Sequence, residues 1–274
     1  MGQGRLWQPV PWWAGHRPWV HVTARILLVL LPLALAPATA AASTEHVDVA
    51  LRRRQQINTA QHDLIAPLTE GRGFSEPIVL APTVYRALLS EFEARRSDYE
   101  YTSLEAANGY NSATPRPFLT RLRNAVLAEV EAAMRPIVER WAGAGQLELT
   151  GLYGVRTYVR GATLEPHVDR LSHAVSAIVQ VSQEDMAEPW PISIHDHGGT
   201  PHNLTLRPGE VVLYESARLV HGRSQPLNGS SFSNLFVHWR PVAGWHYTVS
   251  QLGVSPWFVE SLAHQPTFDI GTTV

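Results

Sequence analysis

From residue 155 onward the chain is cut into short stretches rich in β-branched and aromatic residues, each closed off by Gly, Pro or Asn. Such stretches stand at 155–159, 177–181, 191–194, 203–206, 211–214, 218–221 and 235–239. Strands this short and this regularly punctuated build a sandwich or jelly roll, in which alternate residues face a shared interior. Upstream the period is helical. Val84, Tyr85, Leu88, Leu89 and Phe92 recur at helical spacing behind Pro82, a residue suited to a first helical turn. After a loop rich in Asn, Gly, Ser and Pro at 107–117, the stripe Phe118, Leu122, Val126, Val130, Ile137 and Trp141 predicts a longer helix. It is interrupted or kinked near Pro136 and ends at Gly143. Helices first and strands later specify an α+β chain: a double-stranded β-helix (jelly-roll) core with N-terminal helices packed on it.

At 274 residues, with hydrophobic residues at 45% and charged residues at 17%, one unit with a sizeable core is expected rather than two independent domains. The expected division is a signal peptide or signal anchor over 1–42, a helical support region over 43–148, the jelly roll over 149–245 and a C-terminal extension over 246–274. Arg5, Arg17 and Arg25 precede an apolar run from Ile26 to Leu31, and small residues follow up to Ala38-Thr39-Ala40. That three-part layout is a secretory signal, and Pro32, Pro37 and the small residues favour cleavage over anchoring. Either outcome sends the rest of the chain beyond a membrane, to a secretory lumen, a periplasm or the exterior. The arginine run Arg52-Arg53-Arg54 in the polar segment that follows reads as a solvated face.

The chain carries a formal charge of −2, and 24 acidic residues against 22 basic ones exclude nucleic acid as an expected partner. All the basic residues are Arg, so any part usually played by lysine falls here to arginine or to nothing. The absence of Cys excludes disulfides, thiolate metal sites and cysteine nucleophiles together.

Within the β region lie Glu165-Pro166-His167-Val168-Asp169 and, fifty-two positions after the aspartate, His221. Two imidazoles and one carboxylate can hold one face of an octahedral iron(II) and leave the opposite positions open. A strand period of two puts His167 and Asp169 on one side with Val168 on the other, and the third ligand must come from a strand distant in sequence. The pattern alone is weakly specific in a chain with thirteen histidines. His195-Asp196-His197, before Gly198-Gly199, repeats the residue types but reads as a loop near the site mouth. His173, His202, His238 and His246 read as ordinary surface or core histidines.

The stretches Thr157-Tyr158-Val159-Arg160-Gly161, Glu165-Pro166-His167-Val168-Asp169, Leu206-Arg207-Pro208-Gly209-Glu210 and Leu213-Tyr214-Glu215-Ser216, with His221-Gly222, make residues 152–241 resemble the catalytic domain of the 2-oxoglutarate- and iron(II)-dependent oxygenases of the prolyl 4-hydroxylase type. The resemblance covers about a third of the chain. It implies that His167, Asp169 and His221 ligate iron, that Tyr158 contacts the cosubstrate, and that the cofactors are Fe(II) and 2-oxoglutarate, with ascorbate as an accessory reductant. It also implies hydroxylation of an unactivated C–H, in a prolyl residue of a peptide or protein or in a small molecule. Asp169 separates the chain from the halogenase variant, which leaves that position vacant for halide.

One position departs from the pattern. Enzymes of this type carry Lys or Arg about ten residues after the distal histidine to pair with the far carboxylate of 2-oxoglutarate; here Ser230 and Ser231 stand there. Arg223 is the best substitute, because it shares a strand face with His221, and its planar fork suits a carboxylate. Arg156, on the same strand face as Tyr158, comes next. Without such a cation two other readings stay open: a non-catalytic jelly-roll binding module, and a cupin-like metalloenzyme that uses the three ligands without 2-oxoglutarate.

Overall fold

A computed structural model describes residues 38–101 and 113–253. Most of the expected leader, residues 107–112 of the expected loop and residues 254–274 of the C-terminal extension lie outside the described residues. Among the described residues no helix is long and apolar enough to cross a membrane.

The chain begins with α1 (Ala38–Leu64), followed by β1 (Ile78–Val79), α2 (Pro82–Arg95), β2 (Tyr99–Tyr101), β3 (Ala113–Thr114), β4 (Phe118–Thr120) and α3 (Asn124–Ala142). The strands β5 (Leu147–Val159), β6 (Thr163–His167), β7 (Val175–Glu184), β8 (Ile192–His195), β9 (Pro201–Leu204), β10 (Glu210–Tyr214), β11 (His221–Arg223) and β12 (Ser231–Pro241) complete it, with a 3-10 turn at Val249–Leu252. They form two antiparallel sheets, a seven-stranded one in the order β1-β10-β7-β12-β5-β4-β2 and a five-stranded one in the order β3-β6-β11-β8-β9. The order crosses between sheets as a jelly roll requires, and the architecture is α+β as expected.

The strand period of two sorts the large sheet into faces. Val175, Ala177, Val179 and Val181 of β7, with Val211, Leu213, Leu235, Val237 and Trp239, pack against Val84, Leu88 and Phe92 of α2 and Val130, Met134 and Val138 of α3. The alternate residues Ile178 and Val212 meet Ile192, Ile194 and Leu204 of the small sheet. Covered on both sides, β7 is buried from Val175 to Val181 and cannot show the alternation of a half-wet strand.

The longer helix starts later than its stripe predicts. Phe118 lies on β4, which pairs with β5 in register Phe118↔Thr157, so edge pairing takes that residue out of the helix. The helix then runs through Pro136 without ending and stops at Gly143, whose left-handed φ of 61° no side-chain-bearing residue adopts cheaply. Its inner face uses Met134 and Val138, and Ile137 is exposed.

The arginine run also differs from its reading. Arg54, Ile57, Gln61 and Ile65 recur at helical spacing and are buried, while Arg52 is exposed. The period of 3.6 turns one arginine of the three inward, where it meets Glu165 at 3.7 Å.

Candidate metal centre

β6 carries His167 at its end, and β11 opens with His221; the two are directly paired in the small sheet. The register slips between His221 and Arg223, which faces Leu164, so Glu165-Pro166 forms a bulge in β6. Proline suits that position, having no N–H to leave unpaired. Opposite the bulge the strands come so close that a Cβ on Gly222 would lie 2.8 Å from the Leu164 carbonyl oxygen and 2.9 Å from Pro166 Cα, both backbone atoms. Gly222→Ala must therefore push β6 and β11 apart. We expect a loss of about 1–3 kcal/mol in denaturant unfolding, together with weaker metal binding.

The pairing brings three side chains together. His167, Asp169 and His221 each offer an atom within 4.8 Å of the others. Asp169 Oδ1 lies 3.7 Å from His167 Nε2 and 3.8 Å from His221 Nε2. One ion among them comes close to the metal–ligand lengths of about 2.0–2.2 Å found for imidazole and carboxylate.

Hydrogen bonds select the atoms. His167 Nδ1 donates to the Glu165 carbonyl at 2.7 Å and His221 Nδ1 to the Leu219 carbonyl at 2.8 Å. Each ring therefore turns a bare Nε2 toward the cluster. Burial and the neighbouring His221 push His167 down to about 3, and burial lowers His221, so both rings are neutral lone-pair donors near pH 7. Burial works against ionisation of Asp169, but the facing imidazoles of His221, His238 and His167 outweigh it and hold the carboxyl below its usual range. Its buried Oδ2 has no hydrogen-bond partner among the described residues. The other oxygen, Oδ1, is the one nearest the two bare Nε2 atoms, and an anionic carboxylate oxygen beside two bare nitrogens fits a divalent cation.

Further inside, Arg223 is 2% exposed, and its guanidinium lies 4.7 Å from the Trp190 ring centre and 5.1 Å from that of Phe232. Its Nε and Nη1 have no hydrogen-bond partner among the described residues, and neither has the hydroxyl of the fully buried Tyr158. Burial lowers the guanidinium to about 10, which leaves it cationic at neutral pH. The aromatic rings offset part of the desolvation, but the donors still lack an acceptor. Ser230 and Ser231 turn elsewhere, to Asp185 and Glu184. Arg156 is half-buried and lies over the Phe236 ring at 5.6 Å. Of the two candidate arginines, Arg223 is the one deep in the interior.

No family model and no curated protein sequence matches the chain. Among solved structures it is similar to a prolyl-4-hydroxylase from Pseudomonas putida, at 17% identity over 67% of this chain and 98% of that one, with a TM-score of 0.47. It is also similar to a prolyl hydroxylase from Trichoplax adhaerens in complex with a hypoxia inducible factor peptide fragment, at 11% identity, covering 72% and 93% with a TM-score of 0.47. A third is HygX from Streptomyces hygroscopicus with nickel, 2-oxoglutarate and hygromycin B bound, at 14% identity, covering 63% and 84% with a TM-score of 0.45.

Two histidines read from sequence as ordinary lie beside the cluster. His238 Nδ1 is 3.7 Å from Asp169 Oδ2, and His173 stacks on His238 with ring centres 4.1 Å apart. His173 also meets Thr150 Oγ1 and the Tyr153 hydroxyl, each at 3.1 Å. Ser216 Oγ donates to the His173 carbonyl and bonds to Ser176 Oγ, so Ser176 gives its proton to Ser216 and accepts from His238 Nδ1 at 2.6 Å. His238 thus keeps Nε2 as an acceptor. Alternation on β12 could have revealed it, since Leu235, Val237 and Trp239 share the face opposite to His238.

The His195-Asp196-His197 segment is a loop only from Asp196 onward: His195 ends β8, paired with Pro201 of β9. Asp196 accepts from Gly198 N and Thr200 N and meets His202 Nε2 at 2.8 Å, while His197 Nε2 meets Glu215 at 3.0 Å. His246 is exposed.

Proposed function

We propose that the protein is an Fe(II)- and 2-oxoglutarate-dependent oxygenase that hydroxylates an unactivated C–H. The observation that carries this reading is the pairing of an orphaned anionic oxygen in a His-Asp-His cluster with an orphaned buried cation two residues beyond the distal histidine. Such a cation is costly to bury unpaired, and a dicarboxylate that chelates the metal at one end needs one at its other end.

His167, Asp169 and His221 would hold the iron, and Arg223 with Tyr158 would hold the far carboxylate by charge-assisted hydrogen bonds. Bound there, the two groups would supply the oxidant: one oxygen atom of O2 goes into succinate as 2-oxoglutarate loses CO2, and the other goes into the hydroxyl of the product. The chain's own residues bind, orient and exclude water. Trp190, Phe232 and Tyr158 wall the inner end, Tyr214 packs edge-on against the His221 ring at 4.7 Å and fixes its plane, and Tyr153, His173 and His238 give a polar wall beside Asp169. We put a prolyl peptide first as substrate, on the resemblance of the motif set, and the polar wall suits a substrate with amide groups. The signal-like leader supports activity beyond a membrane.

The test is turnover of 2-oxoglutarate to succinate by the purified protein with iron(II) and a proline-rich peptide. Succinate formation that stops in His167→Ala supports the reading; metal-independent decay alone would refute it.

A further inference from the structure

The metal-bearing turn is not held by the jelly roll alone. We infer that Gln61 and Asn58, one helical turn apart on α1, are positioning residues for the metal centre, an inference that rests on the metal-site reading above.

The Gln61 amide nitrogen donates to the Asp169 carbonyl at 2.9 Å and to the Ala217 carbonyl at 2.6 Å. These carbonyls belong to two chain segments, one carrying His167 and Asp169, the other leading into His221. A single planar NH2 with two protons ties the two segments at a fixed separation. The backbone closes the same gap once more, from Asp169 N to the Ser216 carbonyl at 2.7 Å. Gln61 is fully buried, so its amide has no water to bond in place of either carbonyl.

Asn58 braces the other side of the turn. Its Oδ1 accepts from Val168 N at 3.1 Å, and its Nδ2 donates to the Pro166 carbonyl at 3.3 Å. Those groups flank His167, and the asparagine amide meets them as a neighbouring strand would, where β6 has ended. Arg218 adds a staple in the opposite direction, donating to the carbonyls of His62 and Ile65 at the end of α1. The helix thus fixes the backbone on both sides of one ligand and at the carbonyl of the second. Residues that orient ligands in this way typically change metal affinity by about 10–100-fold when removed.

The experiment compares full-length wild type, Gln61→Leu, Asn58→Ala and the exposed-face control Gln56→Ala by calorimetric titration with Co(II), by the visible spectrum of the Co(II) complex and by apo-protein melting. Co(II) binding weakened about 10–100-fold in Gln61→Leu, with an altered spectrum and an unchanged control, is the expected result. A residue that served folding alone would lower the melting temperature and leave affinity and spectrum of the folded protein as in wild type; that outcome overturns the inference. Should Gln61→Leu not fold, Asn58→Ala, whose side chain is only half-buried, is measured in the same way, and weakened or unchanged Co(II) binding decides for or against the inference as before. Failure of wild type to bind Co(II) would overturn the metal-site reading, and this inference with it, whereas equal binding by wild type and variants overturns this inference alone.

Discussion

Replacing Arg223 by methionine is expected to abolish binding of 2-oxoglutarate while the ligand-free protein stays as stable as before or becomes more so. The two effects have opposite signs because the arginine is a burden until an anion arrives. In the free protein it lies between Trp190 and Phe232 with Nε and Nη1 unpaired. A methionine fills similar volume and adapts to the aromatic walls without leaving a donor unsatisfied. For the ligand the sign reverses. Removing one partner of a buried charge pair costs about 2–5 kcal/mol, a loss of affinity between about thirtyfold and several thousandfold. Thermal melts with and without 2-oxoglutarate read both: the wild type should be stabilised by the ligand, and the variant should show no shift. A large fall in the melting temperature of the ligand-free variant would mean that Arg223 is a structural residue.

The second large effect is expected from Asp169→Asn. The shape is kept, and the backbone bonds from Asp169 N to Ser216 and from Gln61 to the Asp169 carbonyl do not involve the side chain. What disappears is the negative charge at the meeting point of His167, His221 and His238. Two neutral imidazoles and an amide hold a divalent cation far less tightly, and the loss should be about 4 kcal/mol, roughly a thousandfold. The unliganded variant should melt somewhat below wild type, since the surroundings that hold the carboxyl below its usual range stabilise its charged form in the folded chain and the amide forfeits that. Calorimetry with Co(II) checks the affinity and a melt checks the fold.

The His-x-Asp pair and its distant histidine could be read from the sequence because a strand's period of two is local, and a partner strand had only to bring His221 within reach. Arg223 was accessible by the same rule, two residues on. What brings His221 opposite His167, by contrast, is the bulge at Glu165-Pro166 and the close approach of Gly222, and neither follows from periodicity. The role of α1 was hidden for another reason. Asn58 and Gln61 act through backbone groups more than a hundred residues away, so their value depends on how the helix docks. A stripe of Arg54, Ile57, Gln61 and Ile65 was nonetheless present as a signal that polar residues on this helix share its buried face. Phe118 was drawn into a helix by its spacing, whereas pairing with β5 settled it as a strand residue. Ile137 yielded its place in the core to Met134 and Val138 in the same way, through packing that spacing does not resolve.

The most direct measurement is an anaerobic titration of the purified protein, first with ferrous iron and then with 2-oxoglutarate, watched in the visible region. Saturation at one iron per chain, followed by a weak charge-transfer band that grows on addition of the keto acid and is missing in Arg223→Met, is the expected result. Iron that binds with no band, or a chain that takes up no iron at all, would contradict the pairing of metal and dicarboxylate in this barrel.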